Sequence, residues 1–324
     1  MRWNDRIGRR IKLSDLHILL AVAQSGSMAK AANQLAVSHP VVSRSISDLE
    51  HVLGVPLLER SRRGVELTAY GRAMLNSGHA AFDELRQGIK NIEFLSDPTA
   101  GEVRVGTTPA LAASFVTAVI ERLVKRYPRI VYHVEVDAAD ARFEERLHER
   151  RLDLLIHRNF RAVVEDQPNF EPLFQSPYVV TAGTKSPWMK RRRIELRDLA
   201  NAMWVLPPPD PNNPFGSFVI DAFGACGLKV PRATVISTGI EMRANLLRGG
   251  QYVSIFPEFW LQLPIRHPFV KKLPVELPVA SGPIGIVTLK NRTANPVVQR
   301  FMECAREVAK LLTRSHRSAT CNQR

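Results

Sequence analysis

The sequence predicts a multidomain chain with a small, mainly helical head, one long connecting helix and a larger α/β half. Three observations predict it. Residues 13–68 crowd short helical signals together and close on a hairpin pattern. Residues 69–95 carry one uninterrupted helical periodicity, and residues 102–312 alternate strand-like and helix-like stretches. The 324 residues are more than a single core usually organises. An apolar content of 45% with 23% charged residues is ordinary for a globular chain and excludes disorder as a global description.

In the head, Ser14 precedes Leu16, Leu19, Leu20 and Ala23, one apolar helical face with a serine cap. Ser25 and Gly26 stop that helix. Ser27 caps a second, short helix from Met28 to Leu35, whose Ala29, Ala31 and Ala32 let a neighbouring helix approach closely. Ala36 and Val37 make a tight turn. Ser38 caps a third helix, with Pro40 in its first turn where no intrahelical N–H is needed.

The third helix carries the functional signal. Val42, Ile46, Leu49 and Leu53 recur at i, i+4, i+7 and i+11 as a buried stripe. Ser38, His39, Pro40, Ser43, Arg44 and Ser47 fall largely off it. A helix, tight turn and second helix presenting short polar groups and one arginine suits entry into a DNA major groove about 12 Å wide. Ser38 has two roles open to it, cap or phosphate contact, and Arg44 is also placed to pair with Asp48 at i+4. After Gly54, Leu57–Thr68 reads as a short hairpin whose tip holds Arg60, Arg62, Arg63 and Gly64, a wing able to place guanidinium groups on phosphates or in a minor groove.

These residues resemble the LysR-type transcriptional regulator family. The resemblance runs from Leu16 through Gly71, "LHILLAVAQSGSMAKAANQLAVSHPVVSRSISDLEHVLGVPLLERSRRGVELTAYG". Gly26-Ser27, Ala31-Ala32, Leu35, Ser38, Pro40, Ser43, Ile46, Leu49-Glu50, Leu53-Gly54, Leu57, Arg60, Leu67-Thr68 and Gly71 all match the family pattern. His39 stands where glutamine is common, and Leu58 where phenylalanine is common. The resemblance implies a winged helix-turn-helix head and a linker helix through which chains pair, usually within tetramers. It also implies a two-lobed effector domain like a periplasmic solute-binding protein. By similarity Ser38, His39, Pro40, Ser43, Arg44 and Ser47 face double-stranded DNA, and Arg60, Arg62 and Arg63 serve the wing.

In the connecting helix, Leu75, Phe82 and Ile89 are seven apart, and Leu85 and Ile92 repeat the interval three residues later. This is an a/d seam of about three heptads. A second copy of the same chain is the economical partner, giving a homodimer or homotetramer; packing on the chain's own body is the alternative. Ser96-Asp97-Pro98-Thr99-Ala100-Gly101 is a breaker cluster and is expected to act as a hinge.

In the α/β half, strands are expected at 102–108, 130–136 and 152–156, and helices at 111–126 and 140–150. A similar alternation follows through 178–181, 203–206, 218–223, 235–237, 240–247 and 253–256. The alternation predicts mainly parallel sheet, with ligands outside the carboxyl ends of strands. The two-lobe expectation puts lobe one at 102–169 plus 273–312 and lobe two at 170–272, followed by a loose polar tail, 313–324. The strand ends nominate Thr107, Thr108, His157, Arg158, Ser237 and Thr238 for the effector. Hydroxyls and free N–H groups suit an anion, and Arg158 suits a carboxylate. Thr108 doubles as a helix cap, and Arg158 has a surface role as its alternative. The stiff loop Pro207–Pro214 is a candidate wall.

Charge agrees with a small organic anion. Of the formal +14, residues 1–100 contribute 13 Lys+Arg against 10 Asp+Glu, and residues 101–324 contribute 32 against 21. The run Lys190–Arg193 is expected to be a solvated loop. Cys226, Cys304 and Cys321 are far apart, with no CxxC pair and no cluster at metal spacing, so reduced thiols, no metal and no cofactor are expected. No stretch of about 18 residues suits a membrane, and no apolar segment follows the charged start, so a cytoplasmic location is expected. There is no GxSxG, HExxH, P-loop or strand-linked GxGxxG, so no enzyme is expected. The expected function is an effector-modulated, sequence-specific DNA-binding regulator, with RNA polymerase as a candidate partner. The alternative is a cytosolic small-molecule receptor with non-specific DNA affinity.

Overall fold

The computed structural model describes residues 10–61, 64–137, 140–158, 169–211, 213–262, 267–290 and 292–321. The chain divides into a first unit that ends at Ile89 and includes His148–Arg150, and a second unit formed by the remainder.

The first unit contains α1 (Leu13–Ser25), α2 (Met28–Gln34), α3 (His39–Leu53), the antiparallel pair β1 (Leu58–Ser61) and β2 (Gly64–Leu67), and most of α4 (Ala69–Ser96). Its core joins Leu19, Val22, Ala31, Val42, Ile46, Leu49 and Leu57. Ser14 lies inside the first turn of α1 and is not its cap. Lys12 holds the cap position, and its backbone N–H donates to Asp15 at 3.2 Å. Gly26 and Gly54 end α1 and α3 in the left-handed conformation, at φ +65° and +75°. Glu50 then orders the chain beyond α3: one carboxylate oxygen accepts from Leu57 N at 2.7 Å and Leu58 N at 3.1 Å. Thr68 starts α4 by accepting from Gly71 N at 2.9 Å.

The second unit holds two five-stranded sheets. Lobe one comprises β3 (Ala100–Thr107), β4 (Arg129–Val136), β5 (Leu154–Arg158), β6 (Asn169–Phe174) and β12 (Ile284–Thr288), in the order β4-β3-β5-β12-β6. A helical stretch of α5 (Pro109–Leu111), a π segment (Ala112–Val116) and α6 (Thr117–Arg126) follows β3. Next come α7 (Asp140–His148) after β4 and α11 (Pro296–Cys321) at the end of the chain. Lobe two comprises β7 (Tyr178–Gly183), β8 (Met203–Leu206), β9 (Val235–Ile236), β10 (Tyr252–Pro257) and β11 (Val270–Lys272), in the order β11-β7-β10-β8-β9. Its helices are α8 (Pro214–Ala225), α9 (Ile240–Leu247) and α10 (Glu258–Gln262).

The sheets are mixed, which corrects the mainly parallel expectation. β3 runs parallel to β4 and β5, and β8 to β9 and β10. β12 lies antiparallel to both β5 and β6, and β7 antiparallel to both β10 and β11. In each sheet one strand runs against the rest, β12 in lobe one and β7 in lobe two, and each is the strand that follows a crossing between lobes. The lobe boundaries move accordingly. β6 completes the sheet of lobe one, while Leu273 and Val275 pack in the core of lobe two. Ser176 and Ser281, on the two crossings, meet through a 3.0 Å hydrogen bond. The strand expected from Glu102 begins at Ala100, and α4 reaches Ser96, so the breaker cluster shrinks to three residues between them. The stretch from Thr313, expected as a loose tail, continues α11 as far as Cys321. Arg292 and Asp153, whose side chains are 6% and 3% exposed, pair at 2.9 Å and tie the segment after β12 to the start of β5.

Candidate nucleic-acid interface and ligand cavity

On α3, Val42, Ile46 and Leu49 are at most 1% exposed, and Leu53 is half-buried. Burial of each such side chain stabilises the head by about 2 kcal/mol, so this face cannot turn outward. Ser38, His39, Pro40, Arg44 and Ser47 are consequently exposed, and Ser43 is half-buried. Ser38 occupies the cap position, yet its hydroxyl makes no cap hydrogen bond. Ser27 does cap α2, through Lys30 N at 3.5 Å. Arg44 forms no ion pair with Asp48 or with any other carboxylate among the described residues, so its fork is open to a ligand. The third serine on the helix, Ser45, turns inward and donates to Asp15.

The wing leaves this surface as β1 and β2, in the register Leu58–Leu67, Arg60–Val65 and Ser61–Gly64. It is anchored to the turn after α1 by a 3.1 Å bond from Val65 N to Gly26 O. Arg62 and Arg63 lie outside the described residues, as does the side chain of Arg60.

Along α4 the predicted seam splits. Leu75 and Phe82 are half-buried, and Phe82 lies 5.8 Å from the His17 ring. Leu85, Ile89 and Ile92 are 50%, 58% and 66% exposed, and Leu95, one turn on, is 80% exposed. Of the fully buried residues of α4, Gly71 and Gly78 lie on the same side as Leu75 and Phe82, whereas Asp83 and Gln87 lie on another.

In the second unit a cavity of about 100 Å³ opens at the carboxyl ends of strands from both lobes. Thr108 follows β3, His157 and Arg158 end β5, Pro207 follows β8, Thr238 follows β9 and Pro257 ends β10, and all line it. Pro207, Asn213 and Pro214 supply the wall nominated from the proline-rich loop. Two nominated residues do not line the cavity. The Thr107 hydroxyl is fully buried and donates to Ile156 O at 2.8 Å, bridging β3 to β5. The Ser237 hydroxyl accepts from Gly239 N at 3.1 Å, a local turn. Strand alternation explains Thr107: it is the last inward residue of β3, whereas Thr108 is the first beyond it.

Among the lining residues that the sequence did not nominate are Tyr178, Phe215 and Arg243. Arg243 did leave a signal. It falls at i+3 in the stripe Ile240, Ala244, Leu247, where a buried helix face normally holds an apolar residue. Arg158 is 4% exposed and donates to Gly282 O at 2.8 Å, on the return crossing. Arg243 is 3% exposed and donates to Ile255 O at 3.0 Å. The guanidinium of Arg158 sits 4.7 Å over the Tyr178 ring, and that of Arg243 5.1 Å over Phe215 and 4.9 Å over Phe256. Tyr178 and Phe215 stack on each other at 4.7 Å. Burial lowers the pKa of Arg158, against the neighbouring Tyr178 hydroxyl, and pulls Arg243 down to about 10. Both cations remain charged at neutral pH.

A family model for the bacterial regulatory helix-turn-helix protein, lysR family, matches residues 13–72, and one for the LysR substrate binding domain matches residues 96–310. The chain belongs to the LysR family. As a LysR-family transcriptional regulator it combines a helix-turn-helix DNA-binding domain with an effector-binding domain, in a family of regulators rather than enzymes. The regulator GbpR of Rhizobium radiobacter is 30% identical over 246 residues, covering 72% of this chain and 78% of the relative. GbpR of Azospirillum brasilense is 28% identical over 298 residues, covering 89% and 83%. Among solved LysR-type structures, a full-length cysteine-to-aspartate variant of OxyR from Pseudomonas aeruginosa aligns with a TM-score of 0.65 at 20% identity, over 91% of this chain and 95% of that one. CbnR aligns with a TM-score of 0.53 at 24% identity, over 91% and 100%. No helix among the described residues of this LysR-family chain is long and apolar enough to cross a membrane.

Proposed function

We propose that this regulator reads a specific duplex sequence with α3, as a dimer or tetramer, under the control of a small organic anion bound between its lobes. The observation that carries DNA reading is the outward face of α3. His39, Arg44 and Ser47 are exposed, Ser43 lies beside them, and the opposite stripe is locked into the head. Side chains of this kind hydrogen-bond base edges and phosphates in a major groove. Arg60, Arg62 and Arg63 would add wing contacts. CbnR, a structural relative, has been solved in complex with its target DNA, which supports the assignment.

Chains pair through the exposed apolar face of α4, with Leu85, Ile89 and Ile92 against the same residues of a second copy. Leu75 and Phe82 extend that seam toward the head. Thr108, His157, Arg158 and Thr238 contact the effector, and Arg158 is its principal anchor. Effector binding changes how the lobes meet and hence the spacing of paired heads on a pseudo-palindrome, with RNA polymerase as the downstream partner in the cytoplasm.

The test is gel retardation of the full chain on its own upstream region, against an unrelated duplex of equal length. Retention of the upstream fragment at moderate salt, with the unrelated duplex released, supports this function. Equal binding to both, abolished together by salt, overturns it.

A further inference from the structure

We infer that the cavity takes a compact organic dianion, with one acidic group on Arg158 from lobe one and the other on Arg243 from lobe two. This rests on the proposed function and specifies its effector.

The argument begins with how this chain treats buried arginines elsewhere. Arg292, inside lobe one, is paired with Asp153 at 2.9 Å and also donates to the Leu152 carbonyl. Arg158 and Arg243 are as deeply buried, yet no carboxylate among the described residues pairs with either. Each has a backbone carbonyl on one nitrogen and aromatic rings against its plane. Stacking occupies the faces of a guanidinium and leaves its in-plane N–H edges, which match a carboxylate fork. Arg158 Nη2 and Arg243 Nε are out of solvent with no acceptor among the described residues. Buried charge is retained when something pairs with it. The two cations line one cavity, so its natural complement carries two negative charges.

Placement favours two acids on one molecule. Arg158 stands at the end of β5, and Arg243 projects from α9 in the other lobe. A monoanion would satisfy one lobe and leave the second cation unpaired. A dianion satisfies both and joins them, with its carbon frame against the apolar lining of Phe215, Ile240, Phe259 and Ile284. The cavity volume of about 100 Å³ limits that frame to the order of a benzene ring or a short chain.

The test is calorimetry on the full chain at fixed ionic strength. The probes are straight-chain diacids from malonate to adipate, and phthalate, each beside its own monoamide. A monoamide keeps the shape and removes one charge. The expected result is at least one diacid binding tenfold or more tighter than its monoamide. Arg158→Met and Arg243→Met should each reduce that preference to near unity. Arg158→Lys and Arg243→Lys, which keep the charge and guard against misfolding of the methionine variants, should retain a preference of at least threefold. A monoamide equal to its diacid, an Arg243→Met variant with unchanged preference, or inorganic phosphate matching the best diacid would overturn the dianion while leaving an anion-responsive regulator standing. No binding by any acid would overturn both the dianion and the anionic effector, and gel retardation would still decide DNA reading separately.

Discussion

The hydroxyl of Ser45 donates 2.8 Å to the carboxylate of Asp15, joining α3 to α1 across thirty residues of sequence. Ser43 and Ser47, two positions to either side, face the other way. One helix thus uses three serines for two purposes. Ser45→Ala should lower the unfolding free energy by about 1 kcal/mol, the usual worth of one partly buried hydrogen bond. Asp15→Asn should do the same, and the double variant little more. Chemical denaturation of the four proteins checks this; additive effects would mean that the pair does not act as a unit.

Ser43→Ala and Arg44→Ala should behave oppositely. Both sit off the buried stripe, so stability should move by less than about 0.5 kcal/mol. Affinity for the specific duplex should fall by about 1–3 kcal/mol for each base no longer read. Fluorescence anisotropy on specific and scrambled duplexes separates the two effects. Unchanged specific affinity in both variants would remove α3 as the reading element.

Gly71 is the glycine of the head with the least room for a side chain. A Cβ there would collide with the Leu57 carbonyl oxygen. That backbone is held from several sides, by Glu50 on Leu57 N and by Thr68 N on Leu57 O. Gly71→Ala should therefore destabilise the head by about 3 kcal/mol, as overpacking does. A thermal scan showing native behaviour would refute the tight junction.

Leu85, Ile89 and Ile92 carry the exposed seam, and removal of its apolar character should reduce assembly. Ile89→Asp with Ile92→Asp should shift the sedimentation coefficient to that of a single chain at micromolar concentration. Leu75→Asp, half-buried in its own unit, should instead lower stability. An unaltered oligomer in the double variant would place the interface elsewhere.

Acid should weaken lobe one through Glu171. Arg306 donates to both of its oxygens, at 2.7 and 2.8 Å, and these bonds hold the carboxyl below its usual range. Because the folded value is depressed, the stabilisation is present above the ordinary glutamate value of about 4.3 and is lost as pH falls through the folded value. Both side chains are about two-fifths exposed, so solvent screening limits the contribution to about 0.5 kcal/mol. Glu171→Gln should therefore be less stable than the parent at pH 7, with the gap closing by pH 3. A constant gap would point to packing instead of charge.

The head was readable because its signals are local. The period of Val42, Ile46 and Leu49, the left-handed glycines and Pro40 all act within a few residues, so helix limits and outward face followed from spacing alone. Ser14 misled because an equally good local solution existed: Asp15 reaches back to the Lys12 backbone and leaves Ser14 in the first turn. The cavity was half readable. Strand ends nominated Thr108, His157, Arg158 and Thr238 correctly as lining, and also Thr107 and Ser237, whose hydroxyls are used within the fold. Which of two adjacent threonines faces a cavity depends on where the strand stops, and pairing with β5 decides that.

Taken alone, the sequence determined the order of helices, turn and wing, the face of α3 turned outward, the long helix α4 and the family. Each depends on side-chain periodicity or on backbone conformations that particular residues favour. Tertiary structure decided the mixed sheets, the true crossings between lobes and the meeting of Arg158 with Tyr178, Phe215 and Arg243. Those relationships join residues as far apart in sequence as Val287 and Leu155, or Ser281 and Ser176, and long-range strand pairing, which no local pattern encodes, brings them together.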